Sequence, residues 1–226
     1  MNEMRINVYA FPHKGLRNAL SQVSFLAGNT DYSSHEELEI LQSATTDLLS
    51  LLDLHAHSED HFVLPALESK VPGSTHENAE EHEELEKEVE ALLHQINSIT
   101  TSSPPAEGAN FYTAVSNFHS KYLAHMAHEE SEILDLIWEN FSDQELIQMH
   151  EEIMKTFSPE QVIMWFKCIV PALNPMEQLA LMGGFKSAAP AFFFDSVMEI
   201  LSSLMPKKNV DRLLKMLTGT ENLQPA

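Results

Sequence analysis

The chain has 226 residues, a formal net charge of −21 and 43% hydrophobic residues, which is enough apolar material for a sizeable core. A surface this acidic repels nucleic-acid phosphates and anionic lipids, so neither is an expected partner. The single cysteine excludes a disulfide framework and any metal site built from several thiolates. Because there is no signal-peptide pattern and no run of about 18 apolar residues, we expect a cytoplasmic protein without a membrane span.

Four long helices are predicted in the first part of the chain. They cover approximately residues 12–27, 33–69, 74–100 and 109–140, and glycines, prolines and serines mark the breaks between them. Pro65 is expected to kink the second helix or to lie in its last turns. Short loops between long helices favour an all-α fold, an antiparallel up-down four-helix bundle.

The composition changes at about residue 142. Residues 1–141 carry 24 acidic and 6 basic residues and eleven of the twelve histidines, whereas residues 142–226 carry 10 acidic and 7 basic residues. Helix starts are predicted at Ser142 and Ser158, and prolines divide the remainder into short apolar helices. We therefore expect a bundle over residues 1–141 and a C-terminal helical extension over residues 142–226. The extension is expected to pack on the bundle, or alternatively to form an interface with a protein partner or a second copy.

A His-x-x-x-Glu pattern occurs twice in matching surroundings. Each predicted helical hairpin carries one histidine on its first helix and a His-x-x-x-Glu pair, followed by a second acid, on its second helix. The histidine precedes the pair by 42 residues in the first hairpin and by 43 in the second. The six residues are His13, His55 and Glu59 in the first hairpin and His82, His125 and Glu129 in the second.

Spacing gives these six residues a common chemistry. Residues i and i+4 share one helix face, so inward-facing pairs would bring six ionisable side chains together in the core. Such a cluster would be very costly without a partner. Two metal ions resolve the cost, because imidazoles bind each ion terminally and carboxylates bridge them. Donors of this kind suit iron or manganese, and also zinc. The Glu-x-x-His pattern of ferritin-like sites is absent, since no histidine has a glutamate three residues before it.

The sequence resembles the hemerythrin-like, His-His-Glu cation-binding domains over roughly residues 10–140. The resemblance rests on Phe11-Pro12-His13, on residues 54–65, on Glu81-His82 and on residues 125–130. It implies a four-helix bundle around a non-haem di-iron centre, with a water, hydroxide or oxo group between the irons. It also implies that the two bridging carboxylates are Glu59 and Glu129. The terminal ligands that it implies are His13, His55, His82 and His125.

One histidine of the oxygen-carrying members is missing. In those proteins the third helix carries His-x-x-x-His, but here Asn78 stands four residues before His82 and Glu86 four residues after it. Glu132 and Glu86 are expected on the inner face and are the candidates for the seventh ligand. The departure favours sensing or redox chemistry over oxygen carriage.

The resemblance predicts a protein that binds metal and binds or senses oxygen, nitric oxide, peroxide or iron itself. One alternative is a redox enzyme at the same centre, with peroxidase or nitric-oxide-scavenging activity. Another is an interaction module that acts through residues 142–226, in which the metal only stabilises the fold. The sequence leaves open whether the protein is an enzyme.

Overall fold

The computed structural model describes residues 5–219, and within this range the regular elements are helices without any strand. The predicted all-α fold is confirmed. In the described range no helix combines the length and apolar content needed to cross a membrane. The helices are α1 Ala10–Asn29, α2 His35–Ser58, α3 Leu64–Lys70, α4 His76–Ser98, α5 Pro105–His128, α6 Leu134–Asn140, α7 Asp143–Thr156, α8 Pro159–Ala172, α9 Pro175–Ala188, α10 Ala191–Leu204 and α11 Lys207–Leu217.

Helices α1, α2, α4 and α5 form the bundle. Helix α1 packs against α2 and α5, and α4 packs against the same two helices, so the four close into a ring. Leu16, Leu20 and Val23 lie on the inner face of α1, where their spacing continues the buried stripe that begins at His13. Turns of five or six residues, at 30–34, 71–75 and 99–104, connect the long helices of the bundle, with α3 continuing α2, and they fix the up-down order that the sequence predicted.

The fourth long helix begins at Pro105, four residues before the predicted start. Proline is well suited to the first turn of a helix, because its fixed φ is helical and the missing N–H would have no intrahelical acceptor. The prolines of this segment therefore mark the start of the helix and not, as expected, the middle of a loop.

A five-residue π turn begins at the glutamate of each of the two duplicated His-x-x-x-Glu pairs, His55/Glu59 and His125/Glu129. The turns are Glu59–Val63, between α2 and α3, and Glu129–Ile133, between α5 and α6. In both, the N–H of the following leucine donates to the carbonyl of the glutamate five residues earlier. Proline is not the common cause, since Pro65 follows the first turn but Asp135 occupies the same place after the second. The sequence duplication thus extends to the backbone, and π turns concentrate at functional sites.

Helix α7 belongs to the same compact unit as the bundle, which spans the described residues up to 157. Its start is a capping box between Ser142 and Glu145, as predicted. Lys70 donates to the Glu145 carboxylate at 2.7 Å, and Arg5 donates to Asp143 at 3.0 Å. The bundle unit therefore continues past residue 141, where the charge pattern changes.

Residues 158–219 form a second compact unit of four short helices. Helix α8 pairs with α10, and α9 pairs with α11. Trp165, Phe166 and Phe194 are buried, whereas Phe192, from the same aromatic run as Phe194, is 74% exposed. The packing of this segment on the bundle and its binding to a partner stay predictions.

Close contact between Gly108 and Tyr32 joins α5 to the turn that follows α1. A Cβ atom added to Gly108 would lie 2.7 Å from the Tyr32 ring, which is tethered because its hydroxyl donates to the Ala27 carbonyl at 2.8 Å. We predict that Gly108→Ala destabilises the first unit by about 1–3 kcal/mol through overpacking. This is the net loss that remains after the roughly 1 kcal/mol that alanine gains over glycine in a helix.

The matched control is Gly184→Ala in α9, where no atom lies within 4 Å of the added Cβ. Alanine should leave the stability of the second unit unchanged or raise it. Thermal unfolding followed by circular dichroism measures both variants. A Gly108→Ala protein as stable as the wild type would contradict the tight contact.

Candidate metal centre

All six residues of the predicted cluster are buried, each with 6% or less of its surface exposed. The structure brings them together between α1, α2, α4 and α5. They form two groups in which one donor atom from each residue lies within 4.8 Å of the others. The groups are His13, His55, Glu59 and Glu129, and Glu59, His82, His125 and Glu129. Both glutamates therefore belong to both groups.

The histidines face each other in pairs across the bundle. Nε2 of His13 lies 3.0 Å from Nε2 of His55, and Nε2 of His82 lies 3.2 Å from Nε2 of His125. In each pair, one histidine comes from the first helix of a hairpin and one from the second. Each hairpin thus supplies one complete histidine pair.

The two glutamates span the two histidine pairs. Glu129 places Oε1 3.2 Å from Nε2 of His125 and Oε2 3.3 Å from Nε2 of His13. Glu59 places Oε1 3.6 Å from Nε2 of His55 and Oε2 3.4 Å from Nε2 of His82. Each carboxylate therefore directs one oxygen to each pair, which is the arrangement of a carboxylate that bridges two cations.

Outside the cluster, carboxylates hold the outer ring nitrogens of three histidines. Nδ1 of His13 lies 2.9 Å from Glu130, Nδ1 of His82 lies 2.7 Å from Asp60, and Nδ1 of His125 lies 2.8 Å from Glu81. A carboxylate at Nδ1 holds the proton there, so the Nε2 lone pair is directed inward.

Two of these outer contacts cross from one hairpin to the other. Asp60 follows Glu59 in the first hairpin but contacts His82 of the second, whereas Glu130 follows Glu129 and contacts His13 of the first. The sequence showed these two acids only as the residue after each pair. Their role was missed, because no local spacing connects side chains 22 and 117 residues apart.

Further side chains hold the outer carboxylates in place. Arg17 binds both oxygens of Glu130, at 2.5 and 2.9 Å, and Nδ1 of His128 lies 3.3 Å from Glu81. Burial raises the pKa of Glu130, but Arg17 and His13 outweigh it and the net pKa is lowered. The carboxylate therefore stays ionised. His128 contacts the centre through Glu81.

Without a bound cation, burial and the neighbouring charges shift the pKa values of several of these buried groups strongly. Burial and the neighbouring Glu129 raise the pKa of Glu59 to about 8. Burial lowers the pKa of His82, but Asp60, Glu129 and Glu59 outweigh it and raise that pKa to about 12. Both oxygens of Glu59 and Oε2 of Glu129 are buried without a well-directed hydrogen bond. Buried anionic oxygens without partners are costly.

A pair of metal ions fits these donors. The Nε2 lone pairs of His82 and His125, 3.2 Å apart, repel each other unless a proton or a cation lies between them. A cation also neutralises the carboxylate oxygens that have no hydrogen-bond donor. Imidazole and carboxylate donors without sulfur suit iron, manganese or zinc. The buried cluster is therefore compatible with metal binding.

The expected inner-face positions of Glu132 and Glu86 are wrong. Glu132 is 76% exposed and lies 3.8 Å from His128, because the π turn rotates it away from the direction that α-helical spacing predicts. Glu86 is exposed. The buried face of α4 lies on the other side of His82, where Asn78 and Leu85 are. Neither glutamate reaches the cluster.

Three buried residues surround the centre without having been assigned by spacing. The Tyr9 ring stacks on His13 with centroids 4.9 Å apart, and the Tyr122 ring lies 5.5 Å from that of His125. Burial, followed by the charges of the two glutamates, raises the pKa of both phenols. Asn78 is fully buried and donates from Nδ2 to Glu129 at 3.2 Å.

Comparison with known proteins agrees with this geometry. The model of the hemerythrin HHE cation binding domain matches residues 5–137, more than half of the chain. The chain is also 22% identical over 195 residues to a zinc finger protein, BRUTUS-like, of Arabidopsis thaliana. That match covers 84% of this chain but 15% of the relative. No solved structure matches the chain. Because the matched region contains both histidine pairs and both glutamates, the chain belongs to the hemerythrin HHE cation-binding domain family.

Proposed function

We propose that this protein holds two iron ions, one at each histidine pair, with Glu59 and Glu129 as bridging ligands. The iron pair would bind or sense oxygen, nitric oxide, peroxide or iron itself. One observation carries the proposal: each glutamate directs one oxygen to each histidine pair. A structural ion pair has no need of this doubly shared arrangement, whereas two metal ions would be bridged by it.

The donor set supports iron and leaves room for a small ligand. Each group of four residues offers two imidazoles and two shared carboxylates, a set that iron accepts in helical bundles. Iron takes more ligands than these four residues provide, so coordination positions stay open. Bound iron would supply reversible ligand binding or electron transfer at those positions.

The residues around the centre would control the access of water and the orientation of the imidazole ligands. Apolar side chains from both π turns and the helices after them, including Val63, Leu67, Ile133 and Ile137, pack with Tyr9 in one buried cluster. This cluster keeps water from one end of the site. The outer carboxylates hold the imidazoles with Nε2 directed inward, which is the orientation that a metal ion needs.

The first test is the iron content of the protein. Anaerobic addition of ferrous iron should give about two irons per chain, one for each histidine pair, and air should then produce a charge-transfer absorption band. Glu59→Gln and His125→Ala should each lose iron and the band. Metal analysis and absorption spectra measure both effects.

The matched control uses a surface copy of the same pattern. His35 and Glu39 are also spaced by four residues and lie 3.3 Å apart, but their side chains are 77% and 66% exposed. Glu39→Gln should therefore bind iron like the wild type. A wild-type protein that takes up no iron and develops no band in air would refute the iron assignment.

The second test concerns the outer carboxylates. Asp60→Asn and Glu130→Gln should each weaken metal affinity by about 10–100-fold, because the imidazoles lose the groups that orient them and raise their basicity. Competition against a chelator of known affinity measures the change. Glu132→Gln, in the same π turn as Glu130 but 76% exposed, is the control and should bind normally. Equal affinities in all three variants would contradict the orienting role.

A further inference from the structure

The two hairpins carry different oxygen-bearing side chains, Tyr9 and Asn78, at equivalent positions. Tyr9 stands four residues before His13, and Asn78 stands four residues before His82, so each shares a helix face with the first histidine of its hairpin. Their exposed fractions are 2% and 0%. The Tyr9 hydroxyl and the Asn78 Oδ1 are both buried without a hydrogen-bond partner. The two hairpins thus differ at this pair of buried positions beside the histidines.

The amide of Asn78 lies beside the second histidine pair. Its Nδ2 donates to Oε1 of Glu129 at 3.2 Å, and the same oxygen lies 3.2 Å from Nε2 of His125 and 3.5 Å from Nε2 of His82. With Nδ2 committed to Glu129, the other end of the amide presents an oxygen that no protein group satisfies. A fully buried polar atom without a partner calls for an explanation.

We propose that Oδ1 of Asn78 is a ligand of the metal ion held by His82 and His125. The assignment rests on the proposed function, since it requires a metal pair. A carboxamide oxygen is a neutral, hard donor that suits the same cations as carboxylates. It takes the place of the histidine that the third long helix lacks, and it does so without adding a negative charge to a site that already holds two carboxylates.

The assignment makes the two metal positions unequal. The ion at His82 and His125 gains one protein donor, whereas the counterpart of Asn78 at His13 and His55 is a phenol. The two ions would therefore have different oxygen donors beside them.

One competing role must be separated from ligation: Asn78 could act only by donating Nδ2 to Glu129. Asn78→Asp distinguishes the two roles. An aspartate keeps an oxygen ligand for the metal but loses the N–H donor and sets a second negative charge against Glu129. A ligand role predicts that binding survives this change, and a positioning role predicts that binding weakens.

The experiment is a titration of the full chain with cobalt(II), followed by calorimetry and by the absorption of the bound ion. The wild type should bind two ions. Asn78→Ala should weaken one of them by about 10-fold or more and alter the spectrum of that ion alone, whereas Asn78→Asp should retain both. Asn97→Ala and Asn97→Asp, at an exposed asparagine of the same helix, are matched controls that should bind normally.

Three results would overturn the assignment: an alanine variant that binds both ions like the wild type, one that weakens both ions equally, or an aspartate variant as weak as alanine. Circular dichroism tests whether each variant folds. If the alanine variant does not fold, the aspartate variant is compared with the wild type alone, and weakened binding of one ion would overturn the assignment. A wild type that binds no metal overturns the proposed function itself, and the assignment with it. Failure of the assignment alone leaves two ions in the wild type.

Discussion

Two glutamates in the centre of the bundle constrain the rest of this structure. Glu59 and Glu129 are 3% and 0% exposed, and carboxylates at that depth are stable only with positive or hydrogen-bonding partners. The protein provides four imidazoles, each with Nε2 within 3.6 Å of a carboxylate oxygen. Glu130, Asp60 and Glu81 contact the outer nitrogens of three of these imidazoles and orient them. A core of this kind is costly for stability by itself, and its donor groups are compatible with metal binding.

The π turns allow one helix to serve both hairpins. In each turn the first residue is the central glutamate and the second is the acid that holds a histidine of the opposite hairpin, Asp60 for His82 and Glu130 for His13. Successive residues of a regular α-helix point about 100° apart, and the wider π turn changes this angle. Two consecutive carboxylates therefore serve the same site: the first lies in the central cluster, and the second contacts the outer nitrogen of a histidine. These crossed contacts also tie the two halves of the bundle together.

Asymmetry is as informative as the duplication. The hairpins agree in their histidines, their glutamates, their π turns and the acids that contact the other hairpin. They differ at the position four residues before the first histidine, which is Tyr9 in one hairpin and Asn78 in the other. Such a difference between the two halves of a repeated site would let metal ions bound there differ in coordination. Arg17, which binds Glu130 through both nitrogens, has no equivalent in the second hairpin, where Glu86 stands at the same place and is exposed. The surroundings of the two pairs are therefore unequal in charge as well.

The sequence by itself determined the four long helices and the six central residues. It could do so because apolar periodicity and the i, i+4 spacing are local properties, and because each hairpin repeats the pattern of the other. It failed for Glu132, since a π turn shifts every later residue away from its α-helical direction, and no feature of the sequence marked that turn. Only the tertiary structure decided which acids hold the histidines and that Asn78 faces the centre. Those contacts join residues 22 to 117 positions apart, and they depend on how each helix is rotated in the bundle. That rotation is set by the packing of all four helices together, which no single segment encodes.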